Sequence, residues 1–203
     1  MDFIDFVLEH LPPAPARVLE VGCGRAGGVT PALAERGYDV LGIDPRAPEG
    51  PFFRQVALEE LAEPGPFDAV VAGRVLHHVE PLGPALDKLA GLAPLLLVDE
   101  FAWNHMDDAT ADWYEGQHRM LAAAGAEPKG PSSMEEWRWK HAGLHPYETL
   151  RAELDARYEE RAFERLPYLY RWLGGPAAES LEQTLIDVGA VRPLGWMYAG
   201  ARR

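Results

Sequence analysis

The chain has 203 residues and a mass of 22.4 kDa, which is enough for one α/β domain with a modest elaboration but not for two domains. Its 47% hydrophobic and 25% charged residues are an ordinary globular composition, which excludes a disordered chain. The formal net charge of −13 disfavours a nucleic-acid partner, because such proteins gain affinity from basic side chains that neutralise phosphates.

The sequence also argues against a membrane partner. Its longest apolar run, residues 92–98, is far shorter than the roughly 20 residues that a membrane-spanning helix needs. The amino terminus begins without the basic residues of a secretion signal, and the single cysteine is typical of a protein of the reducing cytoplasm. Cys23 is the only cysteine, so an intrachain disulfide and a cysteine-built metal site are both excluded.

Short apolar runs alternate with helical patterns over the first hundred residues, which is typical of βαβ units and a parallel sheet. Gly37 is placed to end the first of these predicted helices, and Asp44 follows the second predicted strand. In chain order the patterns predict a strand over 17–21, a helix over 31–35, strands over 39–43 and 67–72, a helix over 83–92 and a strand over 95–101.

Beyond residue 101 the pattern becomes mainly helical. Asp107 and Asp108 favour a helix start that runs to Ala124, because carboxylates stabilise the positive end of the helix dipole. Two overlapping Ser-x-x-Glu capping boxes at 132–136 predict a helix through His141, and Pro146 begins another. The remaining predictions are a strand over 161–168, weakened by Pro167, a helix over 178–188 and a strand over 194–201.

Glycines crowd the turn after the first predicted strand, where they allow close backbone approach to a nucleotide-type ligand. Gly22, Gly24 and Gly27 have the Gly-x-Gly-x-x-Gly spacing of a dinucleotide site, and Asp44 stands where an acidic residue would meet ribose hydroxyls. On this spacing alone, NAD and a nucleoside cofactor remain equally open.

Two features favour the nucleoside cofactor. Glu20 lies where a dinucleotide-binding strand usually carries an apolar residue, and a buried carboxylate there requires a polar ligand or solvent. A cationic, amine-bearing cofactor would suit it. The strand over 67–72 continues through Gly73 and Arg74 to the pair His77 and His78, an ending that has no place in the dinucleotide pattern.

In combination these motifs resemble the class I S-adenosylmethionine-dependent methyltransferases of small-molecule type, over residues 16–101 in order and spacing. The resemblance rests on Val-Leu-Glu-Val-Gly-Cys-Gly at 18–24, Gly-Ile-Asp at 42–44 and the segment 67–78. It implies a Rossmann-like α/β fold, with a mostly parallel sheet, an antiparallel edge strand and flanking helices, and it implies S-adenosylmethionine as the cofactor. With Glu20, the predicted cofactor-binding residues are Gly22, Gly24, Asp44, Leu58, Glu59, Gly73 and Arg74.

The sequence departs from the family pattern at two positions. Ala26 stands where many members have a third glycine, which shifts close backbone approach to Gly27. Ala57 stands where many have an aspartate for the adenine amine, which leaves that contact to the backbone or to Glu59. An Asn-Pro-Pro-Tyr type of signature is absent after Ala72, which argues against amide and nucleobase targets.

Methyl transfer from a sulfonium is an in-line displacement, so the protein mainly positions the nucleophile and excludes water. An acidic nucleophile also needs a base, and histidine titrates near neutrality. Candidates lie at the carboxyl ends of two predicted strands, where open α/β sheets bind ligands. They are His77, His78, Glu100 and His105.

Residues 101–172 hold twelve of the twenty aromatic side chains. Within this range, helical spacing places Trp113, Tyr114, Gln117, His118 and Leu121 on one face of a helix, which is typical of a core face. As an alternative, the mixture of Trp, Tyr, Gln and His favours an amphiphilic pocket wall, in which rings attract a sulfonium or a substrate cation. The candidate substrate-binding residues are Trp103, Trp113, His118, Trp137 and His141.

We therefore expect one methyltransferase domain: a cofactor-binding half over 1–101, a helical lid insert over 102–175, and a return to the sheet over 176–203. Phe3, Phe6 and His10 either form one pocket wall or belong to a helix packed on the sheet. The predicted reaction is methylation of an oxygen or nitrogen of a small aromatic or apolar metabolite, without a metal. An NAD-dependent oxidoreductase and a non-catalytic S-adenosylmethionine-binding protein are the alternatives. Neither the acceptor nor the oligomeric state can be predicted.

Overall fold

The structure is a computed structural model that describes residues 2–62 and 65–203. Over these residues the chain forms a seven-stranded sheet with the order β3-β2-β1-β4-β5-β7-β6. The strands are β1 (Arg17–Val21), β2 (Asp39–Ile43), β3 (Phe53–Arg54), β4 (Ala69–Gly73), β5 (Leu95–Phe101), β6 (Tyr158–Leu166) and β7 (Gly195–Arg202).

Strands β1 to β5 pair in parallel, and their register aligns their carboxyl ends. Val21 of β1 lies beside Ile43 of β2 and Ala72 of β4, and Ala72 lies beside Val98 of β5. The aligned residues are buried, as expected for parallel strands covered on both faces. The antiparallel strand is β7, next to the edge strand β6. The prediction of a mostly parallel α/β sheet is confirmed.

Some helices begin at a side chain that accepts a hydrogen bond from an otherwise unpaired N–H group of the first turn. The Asp107 carboxylate accepts from the backbone N–H of Thr110, and the Ser133 hydroxyl accepts from that of Glu136. No helix of residues 2–62 and 65–203 combines the length and apolarity needed to cross a membrane. The helices are α1 (Phe3–His10), α2 (Thr30–Glu35), α3 (Leu82–Leu92), α4 (Asp108–Ala123), α5 (Met134–His141), α6 (Tyr147–Arg157) and α7 (Pro176–Asp187).

Most predicted elements are confirmed to within two or three residues, and the differences have local causes. Strand β6 begins at Tyr158, earlier than predicted, and ends at Leu166, because Pro167 cannot donate to a strand ladder. The amino-terminal residues form a helix, α1, with Phe6 buried. Strand β3 was not predicted. The range 102–175, predicted as a helical insert, also contains β6.

The chain divides into two compact units. The first unit comprises Met1–Glu100, Glu148–Glu164 and Met197–Arg203, and it contains β1 to β4 and most of β5. The second unit comprises Phe101–Tyr147 and Arg165–Trp196, and it contains α4, α5 and α7.

An aromatic core holds the second unit together. The ring of Phe101 stacks on that of Tyr168 with centroids 4.3 Å apart, and Trp137 packs edge-on against Trp172. The indole N–H of Trp137 donates to the backbone oxygen of Trp103 at 2.8 Å. Because a buried indole N–H needs an acceptor, this bond fixes the orientation of Trp137 as well as its depth.

A buried carboxylate secures the segment between β6 and α7. Glu182 of α7 is fully buried and accepts the backbone N–H groups of Tyr168, Leu169 and Tyr170 at 2.7–3.0 Å. Burial raises the pKa of Glu182, although these three hydrogen bonds oppose the shift. The carboxylate thereby fixes the start of the short 3₁₀ helix Leu169–Trp172.

Candidate cofactor and catalytic site

The first unit brings the predicted cofactor motifs to one edge of the sheet. Gly22 follows β1 directly and Asp44 follows β2, while Gly73 is the last residue of β4 and Arg74 follows it. This is the edge at which open α/β sheets bind their ligands. Motifs separated by about fifty residues in the chain therefore meet because the strands are parallel and in register.

The glycine turn after β1 needs glycine at Gly22. The residue has φ +79°, and a Cβ there would lie 2.6 Å from the side chain of Val75. A Cβ at Gly24 would instead meet no atom within 4 Å, so this part of the turn borders open space. Ala26 is tolerated in place of a glycine because it does not take a positive φ.

Glu20 has protein partners for its buried carboxylate. Its oxygens accept from the backbone N–H of Val29, and from the backbone N–H and hydroxyl of Thr30, at 2.7–2.9 Å. Burial raises the pKa of this carboxyl, and the hydrogen bonds from Thr30 and Val29 oppose the shift. The expectation that only a ligand or solvent could satisfy Glu20 is thus wrong, because the start of α2 supplies donors. Contact with a cofactor stays a prediction.

Asp44 lies at the end of β2 with its carboxylate half engaged. One oxygen, Oδ1, accepts from the backbone N–H of Arg46 at 2.7 Å. The structure, over the residues it describes, gives the second oxygen no hydrogen bond, and the side chain lines a pocket. An oriented carboxylate oxygen facing a pocket is suited to accept from hydroxyl groups.

A pocket of about 330 Å³ joins the predicted cofactor residues. Gly22 and Asp44 line it together with Leu58, Glu59 and His78. Glu20, Gly24, Gly73 and Arg74 do not line it; of these, Glu20 and Arg74 are chain neighbours of the lining residues Val21 and Val75. The pocket is of a size that small ligands occupy, and it combines apolar walls with a few polar groups.

Two carboxylates make the potential beside the glycine turn negative. Burial raises the pKa of the Cys23 thiol to about 12, and the charges of Glu20 and Asp44 contribute to the shift. A pyrophosphate would be repelled by these charges, whereas an amine or a sulfonium would be attracted. These two charges favour a cationic ligand over a dinucleotide, and the Arg46 guanidinium, 3.7 Å from Asp44 Oδ1, partly offsets them.

The raised pKa makes Cys23 a poor nucleophile in the folded chain. We expect iodoacetamide at pH 8 to alkylate it between about 30-fold and 1,000-fold more slowly in the native protein than in denaturant. The thiolate is depleted about a thousandfold, and the greater nucleophilicity of a more basic thiolate recovers part of that loss. Mass spectrometry over a time course measures the two rates, and equal rates would contradict the buried, acid-flanked environment.

Arg74 holds an unusual backbone conformation after β4. Its φ of +54° makes it the one non-glycine residue with a left-handed φ in the described part of the chain. Asp99 clamps it twice: its carbonyl oxygen accepts the Arg74 backbone N–H at 2.6 Å, and its carboxylate lies 3.3 Å from the guanidinium. Beside it, Gly73 leaves room for the ring of Phe3, so α1 packs on the end of β4. Strain of this kind is typical of functional loops.

His77 and Glu100 form a buried pair. The His77 ring nitrogen Nδ1 lies 2.6 Å from Glu100 Oε2, and the His77 backbone N–H donates to Oε1 at 3.2 Å. A carboxylate only accepts hydrogen bonds, so Nδ1 carries the proton and Nε2 is the basic nitrogen of the neutral ring. The arrangement is that of a general base oriented by a carboxylate.

The other two candidate bases have different surroundings. His78 is exposed, lines the pocket and has its ring 4.2 Å from that of His77. His105 belongs to the second unit, where its ring lies 4.8 Å from that of Tyr147. Of the four candidates, the structure therefore brings His77, His78 and Glu100 together in the first unit. Their catalytic roles stay predictions.

The predicted substrate residues all lie in the second unit. Trp137 and His141 are buried in its aromatic core, with the His141 Nδ1 donating to the Trp137 carbonyl oxygen at 2.7 Å. His118 is also buried and bonds the backbone oxygen of Lys129. Trp103 and Trp113 pack against this core and remain partly exposed. The three buried residues, Trp137, His141 and His118, therefore pack in the core of the second unit. Substrate contact stays a prediction for all five candidates.

The first unit fits a nucleoside sulfonium. The turn after β1 borders open space at Gly24. One oxygen of the Asp44 carboxylate accepts a hydrogen bond from Arg46 and the other has none among the described residues, and the charges of Glu20 and Asp44 make the potential around Cys23 negative. Among residues 2–62 and 65–203, no three His, Cys, Asp or Glu side chains are grouped to hold a metal ion. The sheet order, the antiparallel β7 and this site together define a class I, Rossmann-like methyltransferase fold.

Comparison with known proteins places the chain in a family. A family model described as a methyltransferase domain matches residues 1–166. The chain therefore belongs to this family of S-adenosylmethionine-dependent methyltransferases, and the NAD-dependent alternative is not supported. A ubiquinone biosynthesis O-methyltransferase of Xylella fastidiosa is 31% identical over 173 residues. The match covers 70% of this chain and 66% of that protein, so the chain spans slightly less than two thirds of its curated relative.

Solved structures of low sequence identity share the fold. A methyltransferase from Mesorhizobium loti is 18% identical with a TM-score of 0.60, and the match covers 98% of this chain and 96% of that one. A methyltransferase from Anabaena variabilis has a TM-score of 0.63 at 14% identity, with the same coverage. The magnesium protoporphyrin IX methyltransferase of Synechocystis, crystallised with S-adenosylhomocysteine, has a TM-score of 0.54 at 18% identity and covers 98% of this chain and 78% of its own.

Proposed function

We propose that the chain transfers a methyl group from S-adenosylmethionine to a hydroxyl oxygen of a small aromatic metabolite. The observation that carries this proposal is the buried pair of His77 and Glu100 beside the cofactor motifs. A phenolic or enolic hydroxyl becomes a good nucleophile only when its proton is removed, and an oriented histidine can remove it. An amine acceptor would need such a base less, so nitrogen is the second candidate.

The proposed roles in cofactor binding follow from the first unit. Asp44 would accept hydrogen bonds from the ribose hydroxyls, and Leu58 and Glu59 would flank the adenine. Gly22, Gly24 and Gly73 would allow close backbone approach to the methionine part, with Glu20 and Asp44 attracting its positive charge and Arg74 bordering it. S-adenosylmethionine supplies an electrophilic methyl group on a sulfonium, and the protein contributes position, proton removal and exclusion of water.

The likeness to an O-methyltransferase supports oxygen as the acceptor atom. The Xylella fastidiosa relative is named for O-methylation in ubiquinone biosynthesis. Its similarity to this chain favours an aromatic acceptor with a hydroxyl group. The net charge of −13 also favours a small molecule over a nucleic acid.

We further propose that the helical range 102–175 supplies the walls that cover the acceptor. This segment leaves the sheet directly after β5, which ends with Glu100 and Phe101. Among the candidate contacts, Trp103 and Trp113 are partly exposed and are better placed to meet a substrate than the buried Trp137. Aromatic rings can also stabilise a nearby cation by roughly 0.5–2 kcal/mol.

The direct test is turnover with a panel of aromatic acceptors. Purified protein and S-adenosylmethionine are incubated with catechols, hydroxybenzoates, hydroxyquinols and matched anilines, and methylated products are identified by mass spectrometry. We expect O-methylated phenols. Calorimetry on the same sample separates the alternatives: cofactor binding without turnover of any acceptor would favour a non-catalytic binding protein, and failure of the cofactor to bind would overturn the proposal.

The ribose assignment predicts the effect of removing Asp44. Because charge-assisted hydrogen bonds to two hydroxyls would be lost, Asp44→Ala should weaken S-adenosylmethionine binding by about 1.5–3 kcal/mol, measured by calorimetry. Asp39→Ala, at the exposed start of the same strand, is the matched control and should leave affinity within about twofold. Equal affinities of the Asp44 variant and the parent would refute the assignment.

A further inference from the structure

The second unit contains a cavity of its own, separate from the cofactor residues. Its volume is about 260 Å³, and two segments of the unit line it. One is the end of α4 with the loop that follows, including Leu121 and Lys129, and the other includes Arg171 and Trp172 before α7. All of these residues belong to the second unit, so the cavity is a property of that unit alone.

Buried side chains fix both walls of this cavity. On one wall, the Tyr114 hydroxyl donates to the Pro131 carbonyl oxygen at 2.7 Å, and the His118 Nε2–H donates to the Lys129 carbonyl oxygen at 3.3 Å. On the other, Glu182 accepts the backbone N–H groups just ahead of Arg171. Walls held in this way need little reordering when a ligand binds.

The charge of the cavity is opposite to that of the chain. Lys129 and Arg171 contribute two positive charges against the one negative charge of Glu127, in a chain of net charge −13. The Arg171 guanidinium lies 5.4 Å from the centroid of the Tyr168 ring and 5.1 Å from that of Tyr170. Contact with two aromatic rings restricts the guanidinium to a few orientations, which suits it to recognise a planar anion.

The remaining wall is apolar. Trp172 and Leu121 face the same space, and Gly174 and Gly175 add no side chain to fill it. The volume is slightly below the range of roughly 300–1,000 Å³ that drug-sized ligands occupy. A ligand of about ten non-hydrogen atoms, with an anionic group at one end and a flat apolar body, matches these dimensions and charges.

We propose that this cavity is a binding site for a small aromatic carboxylate, distinct from the S-adenosylmethionine site. The carboxylate is held by Arg171, with Lys129 adding attraction from the rim, and the ring lies against Trp172. Since the exposed ammonium of Lys129 is screened by salt and the stacked guanidinium is less so, Arg171 dominates.

Benzoate is the probe and benzyl alcohol its neutral counterpart, each titrated into the whole protein by ligand-observed NMR. We expect benzoate to bind with a Kd of about 1 mM, a value typical of a ligand of this size, and benzyl alcohol at least tenfold more weakly. Arg171→Gln should weaken benzoate binding at least tenfold and Lys129→Gln about threefold, because the latter charge is exposed. The matched control, Arg138→Gln on the exposed face of α5, should change nothing.

Several results would overturn this site. Equal binding of benzoate and benzyl alcohol would do so, and so would binding of neither. A Kd for benzoate that both variants leave unchanged, or complete displacement of benzoate by S-adenosylhomocysteine, would also contradict the proposal. Inorganic phosphate tests the apolar wall, since phosphate binding as tight as that of benzoate would show a bare anion site instead. Lys129 is exposed, so the Lys129→Gln protein should remain folded even if Arg171→Gln does not. Failure of methyl transfer in the acceptor panel has no bearing on these measurements.

Discussion

Replacing His77 by Asn should reduce kcat/KM for the methyl acceptor between about a hundredfold and ten-thousandfold, the range that a general base contributes. Affinity for S-adenosylmethionine should stay within about twofold, because His77 lies outside the residues that line the cofactor pocket. Steady-state kinetics and calorimetry on the same protein measure the two effects. His145→Asn, in the second unit, is the control and should leave both unchanged.

Variants of Glu100, the hydrogen-bond partner of His77, provide a second test of the pair. Glu100→Gln keeps a hydrogen-bond acceptor for His77 but loses the charge that stabilises a protonated ring, so the rate should fall in the same direction. If Glu100 acts through His77, the double variant His77→Asn with Glu100→Gln should be no slower than His77→Asn alone. Multiplied losses in the double variant, or activity of His77→Asn within about fivefold of the parent, would rule out the pair as a base.

Removing the carboxylate of Glu182 should give the largest loss of stability. Glu182→Ala leaves three backbone N–H groups, two of them buried and one partly buried, without their acceptor, so we expect the free energy of unfolding to fall by about 3–5 kcal/mol. Glu182→Gln, which keeps one acceptor oxygen, should lose roughly 1–3 kcal/mol. Urea unfolding monitored by circular dichroism measures these differences, provided that the slope of the transition is unchanged.

Glu179→Gln on the same helix is the matched control, because Glu179 accepts no hydrogen bond from these three groups. Its charge lies near Glu182 and disfavours the ionised form, so its removal should be neutral or slightly stabilising. A Glu182→Ala protein as stable as the parent would show that water or a shifted backbone replaces the carboxylate. The short 3₁₀ helix would then not depend on it.

Strand positions could be predicted where local pattern and tertiary structure agree. The bounds of β5, Leu95–Phe101, match the prediction: an apolar run over 95–98 follows Pro94, and the strand continues through Asp99 and Glu100 to Phe101. Strand β3 has two residues, too few for any periodicity, and exists because Phe53 and Arg54 pair with Gly42 and Ile43 of β2. Its formation depends on a neighbour that the local sequence does not reveal.

In the candidate site, too, the local sequence predicted single residues, whereas their pairing depends on the tertiary structure. Sequence reasoning identified His77 and Glu100 separately, but their pairing depends on the register that sets Gly73 of β4 beside Asp99 of β5. The partners of Glu20 were missed for a similar reason. Thr30, at the start of the next helix, was the available signal, because a helix amino terminus offers unpaired N–H groups to a nearby carboxylate.

The Glu20 carboxylate accepts hydrogen bonds from Val29 and Thr30, so the segment between residues 20 and 30 forms a closed ring. These bonds hold the two ends of the ring, its base, together without a ligand. A Cβ at Gly28 would collide with the Glu20 carboxylate, so the two ends of the ring are also in close van der Waals contact. Its tip, at Arg25 and Ala26, is exposed and bound by neither constraint. To engineer the protein for cofactor analogues, residues 25 and 26 should therefore be varied and positions 20, 28 and 30 kept. Because the base of the ring is already ordered, the free energy of new contacts can contribute to binding affinity without an entropic cost of ordering the ring.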